Sequence, residues 1–169
     1  MSLPSPINHQ DFLLTINTQT EPLIKDVLPG VDIWPLFLSP EQGLWIMRAK
    51  FKPGTTLPKH FHTGTVNFYT LAGCWYYLEY PNEKQTAGSY LYEPGGSIHT
   101  FHCPEDSPEG ADGFMIVEGS NVNFDDDGNF VNVMDAGWIE EMIIKAAKAQ
   151  GITMPRYIKP KAQAGFSNQ

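Results

Sequence analysis

Two blocks decide how this chain is read: GTTLPKHFHTGTVNFYTLAG, residues 54–73, and GSYLYEPGGSIHTFHC, residues 88–103. In the first, His60 and His62 stand two residues apart, which on a β-strand puts both imidazoles on one face. Pro53-Gly54 precedes the pair and Gly64 follows it, so turns bracket a short strand. In the second block, Glu93-Pro94-Gly95-Gly96-Ser97-Ile98 is a turn that aims a third imidazole, His99, into a new strand. A His-x-His pair with a distant third histidine can build one face of a metal site, so His60, His62 and His99 are the expected ligands.

The rest of the chain supports a scaffold for such a site. At 169 residues it is long enough for one domain with a substantial core. Hydrophobic content of 41% and charged content of 18% exclude a disordered chain. Ten Phe, seven Tyr and four Trp, with 15 Gly and 14 Pro, favour many short strands and tight turns over a helical bundle. Net charge is −8 and the densest positive run, Arg156 to Lys161, holds three cations, which argues against nucleic-acid binding. Cys74 and Cys103 are too few for a disulfide framework and form no Cys-x-x-Cys pair. No apolar run approaches the ~20 residues of a membrane span. The N-terminus lacks the basic region and apolar core of a signal peptide, so a reduced, cytoplasmic protein is expected.

In chain order, residues 1–30 read as an N-terminal arm and 31–134 as the barrel. Strands are expected at Ile33–Leu38, Leu44–Phe51, the His-x-His segment, Val66–Leu71, Cys74–Tyr80 and Tyr90–Glu93. Further strands are expected at Ile98–Cys103, Phe114–Glu118, Asn121–Phe124 and Phe130–Met134, with Ala72-Gly73 making a turn between the two aromatic runs. One helix is expected within 135–169: Asp135 caps it, Trp138, Ile139, Met142, Ile143 and Ala146 recur at helical spacing, and Gly151 ends it. The tail follows. The expectation is a single all-β domain, barrel or sandwich, with a C-terminal α-helix.

The two blocks resemble the motifs of the cupin superfamily. Its first motif runs glycine, five residues, His-x-His, three or four residues, glutamate, six residues, glycine. Here Gly54, His60, His62, Val66 and Gly73 occupy those positions. Its second motif is met by Gly88, Pro94, Gly96 and His99, with Cys103 at the final asparagine position. The resemblance implies a double-stranded β-helix, or jelly-roll, barrel. It also implies a carboxylate ligand that this chain replaces by Val66, or by Asn67 at the longer spacing. Alternation turns Asn67 away from the site. Three neutral imidazoles would leave adjacent coordination positions open and the metal's charge uncompensated.

Within the cupins, the three-histidine pattern and segments such as Gly73-Cys74-Trp75-Tyr76-Tyr77 are similar to the 2,4'-dihydroxyacetophenone dioxygenase family. That likeness implies non-haem Fe(II), O2 as co-substrate, and carbon–carbon cleavage beside the carbonyl of a small α-hydroxyketone or diketone. Zn, Ni and Mn also suit three imidazoles. Glu93 is the candidate base, or the group that orients a histidine. Val66, Phe68, Thr70, Phe101 and Cys103 are expected to line an apolar substrate pocket by alternation. His102 falls on the opposite face from His99.

The aromatic run Trp75-Tyr76-Tyr77 reads as packing. Asn123 to Gly128 imitates a calcium loop, but Met134 stands at the required glutamate, so a hairpin turn is the better reading. Cupin barrels commonly pair, which makes a homodimer or homotetramer the expected assembly. The competing functions are a non-catalytic metal- or ligand-binding sensor and an oxygen-independent metal isomerase or decarboxylase.

Overall fold

The computed structural model describes residues 13–160. Strand β1 (Ile24–Leu28) pairs antiparallel with β2 (Val31–Ser39), which pairs with β3 (Leu44–Phe51). After the short β4 (His60–His62) comes the long β5 (Val66–Tyr77), then β6 (Gln85–Thr86), β7 (Tyr90–Glu93) and β8 (Phe101–His102). Strands β9 (Ala111–Glu118), β10 (Asn121–Phe124) and β11 (Phe130–Met134) precede helix α1 (Ala136–Gln150). The larger sheet runs β1-β2-β3-β9-β5-β6, with β7 and β8 also on β5, and the smaller runs β11-β10-β4. Every pairing between these strands is antiparallel. No helix among the described residues is long and apolar enough to cross a membrane.

Three departures from the sequence expectation have local causes. The segment read as an arm contains β1, whose register shifts against β2 and whose Asp26 has φ 46, so its alternation is broken. The two expected strands around Ala72-Gly73 are one strand. Gly73 (φ 74) and the register shift between Thr70 and Ala72 form a bulge, which bends β5 without ending it. Beyond the bend β5 passes from partners β9 and β7 to partners β6 and β8. The strand expected at Ile98–Cys103 is reduced to Phe101–His102, and His99 instead sits in a single backbone bridge.

The core lies between the sheets. Trp75 is buried against Phe68 and Phe101, each with ring centroids 4.8 Å away, and Phe101 packs on Phe51 at 4.2 Å. Helix α1 starts where Asp135 accepts a hydrogen bond from the Trp138 N–H and stops at left-handed Gly151, both as its sequence signals require. Its buried face is Ala136, Ile139, Ile143 and Ala147, turned to the body beside β1 and β2. The Asp125–Asn129 segment closes a hairpin between β10 and β11, with Asp125 bonded to the Asn129 backbone and amide.

Candidate metal centre

Backbone pairing assembles the histidines. His60 and His99 exchange both N–H···O bonds, at 3.0 and 2.9 Å, so the two residues stand directly opposite each other. The Gly96 N–H donates to the His62 carbonyl at 2.7 Å, tying the Pro-Gly-Gly turn to the same strand. His60, His62 and His99 are all buried, and one nitrogen from each lies within 4.8 Å of the others, a spacing that can hold a metal ion. The carbonyl of Pro58 lies 2.7 Å from His60 Nδ1. That contact puts the proton on Nδ1 and leaves the Nε2 lone pair free.

The site is not all imidazole. Glu93 is 3% exposed, and its Oε1 lies 3.2 Å from His99 Nε2 and 3.5 Å from His62 Nε2. The β5–β7 register sets Glu93 directly across from Val66, the position where the first cupin motif has its carboxylate. Directly opposed residues share a face. A carboxylate, the candidate base Glu93, therefore approaches the histidines from the neighbouring strand, while the group spaced to hold a metal ion is His60, His62 and His99. Tyr77 donates its hydroxyl to Glu93 Oε2 at 2.6 Å and packs its ring on His99 at 4.1 Å, so it belongs to the centre as well as to the core.

Burial sets the protonation states. Desolvation lowers His62 to about 2 and His99 to about 3, with repulsion from neighbouring imidazoles adding to it, and desolvation lowers His60 as well. All three are neutral at pH 7, the form that ligates. Desolvation raises Glu93 to about 7, partly offset by the Tyr77 hydroxyl. Burial, then the Glu93 charge, holds Tyr77 well above its usual value, so it remains a donor. Glu93 Oε1 and His99 Nε2 are buried, 3.2 Å apart, and neither makes a hydrogen bond. Imidazole nitrogens converging beside a carboxylate oxygen with no hydrogen bond between them fit a divalent transition metal.

The centre opens on an apolar cavity of about 90 Å3, several times the ~10–15 Å3 a single water needs. His60, His62, Glu93 and Asn121 lie on its wall among Trp45, Phe68, Phe101, Met115 and Met142. Val66, Phe68 and Phe101 line it as expected. Thr70 and Cys103 do not line it. Thr70 is spent accepting the Trp75 indole N–H at 3.0 Å, next to the β5 bulge. Cys103 is fully buried with its sulfur against the backbone carbonyls of Phe51 and Cys74. Asn67 accepts from the Tyr90 hydroxyl and stands away from the centre, and His102 meets Thr56 at 2.8 Å outside it. Asn121, Met115 and Met142 were not anticipated. They enter through pairings of β10 and β9 and through the helix, which no local pattern encodes.

Residues 13–109, which include all three histidines and Glu93, match the family model described as the ChrR cupin-like domain. No curated protein matches the chain. A crystal structure of a protein of unknown function with a cupin-like fold from Ralstonia eutropha JMP134 is 48% identical, with TM-score 0.88 over 95% of this chain and 100% of that one. An RmlC-like cupin from the same organism is 28% identical, with TM-score 0.72 over 84% and 90% of the two chains. The acetylacetone dioxygenase of Acinetobacter johnsonii is 18% identical, with TM-score 0.67 over 86% and 99%, a likeness of fold alone. The architecture is the cupin fold.

Proposed function

This chain belongs to the ChrR cupin-like family, and on that premise we propose that it is a non-haem Fe(II) dioxygenase. Its reaction is cleavage of the carbon–carbon bond beside the carbonyl of a small α-hydroxyketone or diketone. One observation carries the reading: three neutral histidines, with a carboxylate beside them, converge at the wall of an apolar cavity large enough for a small organic molecule.

A bound divalent metal supplies a Lewis acid for the substrate oxygens and, as iron, the redox partner for O2. The remaining work belongs to the chain. His60, His62 and His99 hold the ion, with His60 fixed in the ligating tautomer by Pro58. Tyr77 holds Oε2 of Glu93, so Oε1 is the oxygen left to balance charge and take a proton from the carbon next to the carbonyl. Phe68, Phe101, Trp45 and the methionines exclude water around the reacting atoms.

The partners in this reading are the small-molecule substrate, O2 and copies of the chain itself. The half-exposed Tyr69, Leu71, Tyr90 and Tyr92 of β5 and β7 support a homodimer or homotetramer. Oxygen uptake by anaerobically Fe(II)-loaded protein, over a panel of α-hydroxyketones and β-diketones, tests the activity. Substrate-dependent uptake with carboxylate products supports it, and none across the panel with iron bound sinks it. The position of Glu93 favours a second reading, a zinc-binding sensor closed by a fourth protein ligand. Stoichiometric zinc with no exchangeable position would select it.

A further inference from the structure

Two buried asparagines sit one repeat apart on β10, and they differ. Asn123 donates to the Asn132 side chain at 2.7 Å. Asn121 is 9% exposed, yet its Oδ1 is buried and has no hydrogen-bond partner. Register places Asn121 opposite His62 on one side and opposite Met134 on the other, and all three line the cavity. The Trp45 indole N–H in that wall is already spent on the Gly119 carbonyl at 3.1 Å, and the Tyr77 hydroxyl on Glu93. A buried amide oxygen left without a donor opposes folding, so its place beside a candidate ligand calls for a donor that arrives from the cavity.

Resting on the dioxygenase reading, we propose that Asn121 selects the substrate by accepting a hydrogen bond from a hydroxyl adjacent to the ligand's carbonyl. The site then takes α-hydroxyketones in preference to β-diketones. A β-diketone has no hydroxyl on the carbon next to its carbonyl, and its enol O–H is closed on its own second carbonyl or lost in the enolate, so the amide oxygen stays unpaired. A site built around such an oxygen discriminates strongly. The apolar remainder of the cavity accepts the alkyl or aryl end of the ligand without selecting for it.

The test uses zinc-loaded full-length protein, which binds without turning over, and ligand-observed NMR titration with hydroxyacetone and methoxyacetone. In the unaltered protein hydroxyacetone binds at least about tenfold tighter than its methyl ether. Asn121→Leu abolishes that ratio and leaves the methyl ether's affinity within about twofold. Asn121→Ser, which keeps an acceptor, retains part of the ratio. Zinc stoichiometry and melting temperature of each variant show whether the fold is kept. Equal binding of the two probes to the unaltered protein, or an unchanged ratio in a folded Asn121→Leu, overturns the assignment while leaving the proposed activity intact. Binding of neither probe, with no Fe(II)-dependent oxygen uptake, overturns both.

Discussion

Replacing Glu93 by glutamine has effects of opposite sign on the metal-free and metal-loaded protein. The carboxyl is 3% exposed and desolvation moves it from 4.5 to about 7. Because the folded value is raised, its contribution to stability is full below about pH 4.5 and is lost as pH rises through about 7. Carrying the ionised group in the fold therefore costs up to roughly 3 kcal/mol above that pH. Glutamine cannot ionise, so chelator-stripped Glu93→Gln gains that amount at pH 8.5 and gains nothing at pH 4.5. For a chain of this length the gain is about 6–12 °C in melting temperature. With metal present the order reverses, because the variant loses the negative charge beside the histidine nitrogens. Zinc affinity falls on the order of 10–100-fold or more. The assay is thermal denaturation at both pH values, with chelator and with zinc. A stripped variant no more stable than the parent at pH 8.5, or equally stabilised at pH 4.5, refutes the burial argument. Unchanged zinc affinity refutes the role at the metal.

Other outcomes follow from the same geometry. His99→Ala removes a fully buried candidate ligand, and its loss of zinc affinity by competition titration exceeds the roughly 10–100-fold of an outer-shell change. His62 and His99 are lowered from 6.5 to about 2 and about 3, so their stability contribution is present above pH 6.5 and lost as pH falls. Stripped protein carrying Glu93→Gln, which removes the opposing carboxyl, accordingly shows a urea midpoint that drops steadily from pH 7 to pH 4.5. A flat midpoint contradicts the burial of neutral imidazoles. Gly73→Ala must hold a left-handed residue at φ 74 and place its Cβ 1.9 Å from the Gly110 carbonyl oxygen. The strain alone is ~1–2 kcal/mol, and circular dichroism melts show a larger loss because backbone must move.

The parts of this protein that local pattern encodes were legible without coordinates. Spacing two placed His60 and His62 together, and the Pro-Gly-Gly turn delivered His99, because a strand's side-chain period and a turn's residues are short-range properties. Helix α1 was legible for the same reason, from its cap, its stripe and its terminal glycine. Gly73 was read as a turn because a glycine with positive φ serves a bulge and a turn equally, and only pairing with β9 separates the two. Val66 appeared to empty the site of charge. Glu93 was legible as the candidate base, but its place directly across from Val66 was not, because cross-strand register is a long-range property. Asn121 was hidden similarly, since its place beside His62 depends on β10 pairing with β4 across fifty-nine residues of chain. Thr70 was placed correctly by face but lost to the cavity through its bond to Trp75.

The most direct test of the central claim is the metal content of protein purified without chelator and of the same protein stripped and titrated. Three buried neutral histidines and Glu93 predict one equivalent of divalent transition metal per chain. They also predict its loss in a folded His60→Ala/His62→Ala/His99→Ala variant. A well-folded parent chain that takes up no equivalent of iron, zinc, nickel or manganese would contradict the account.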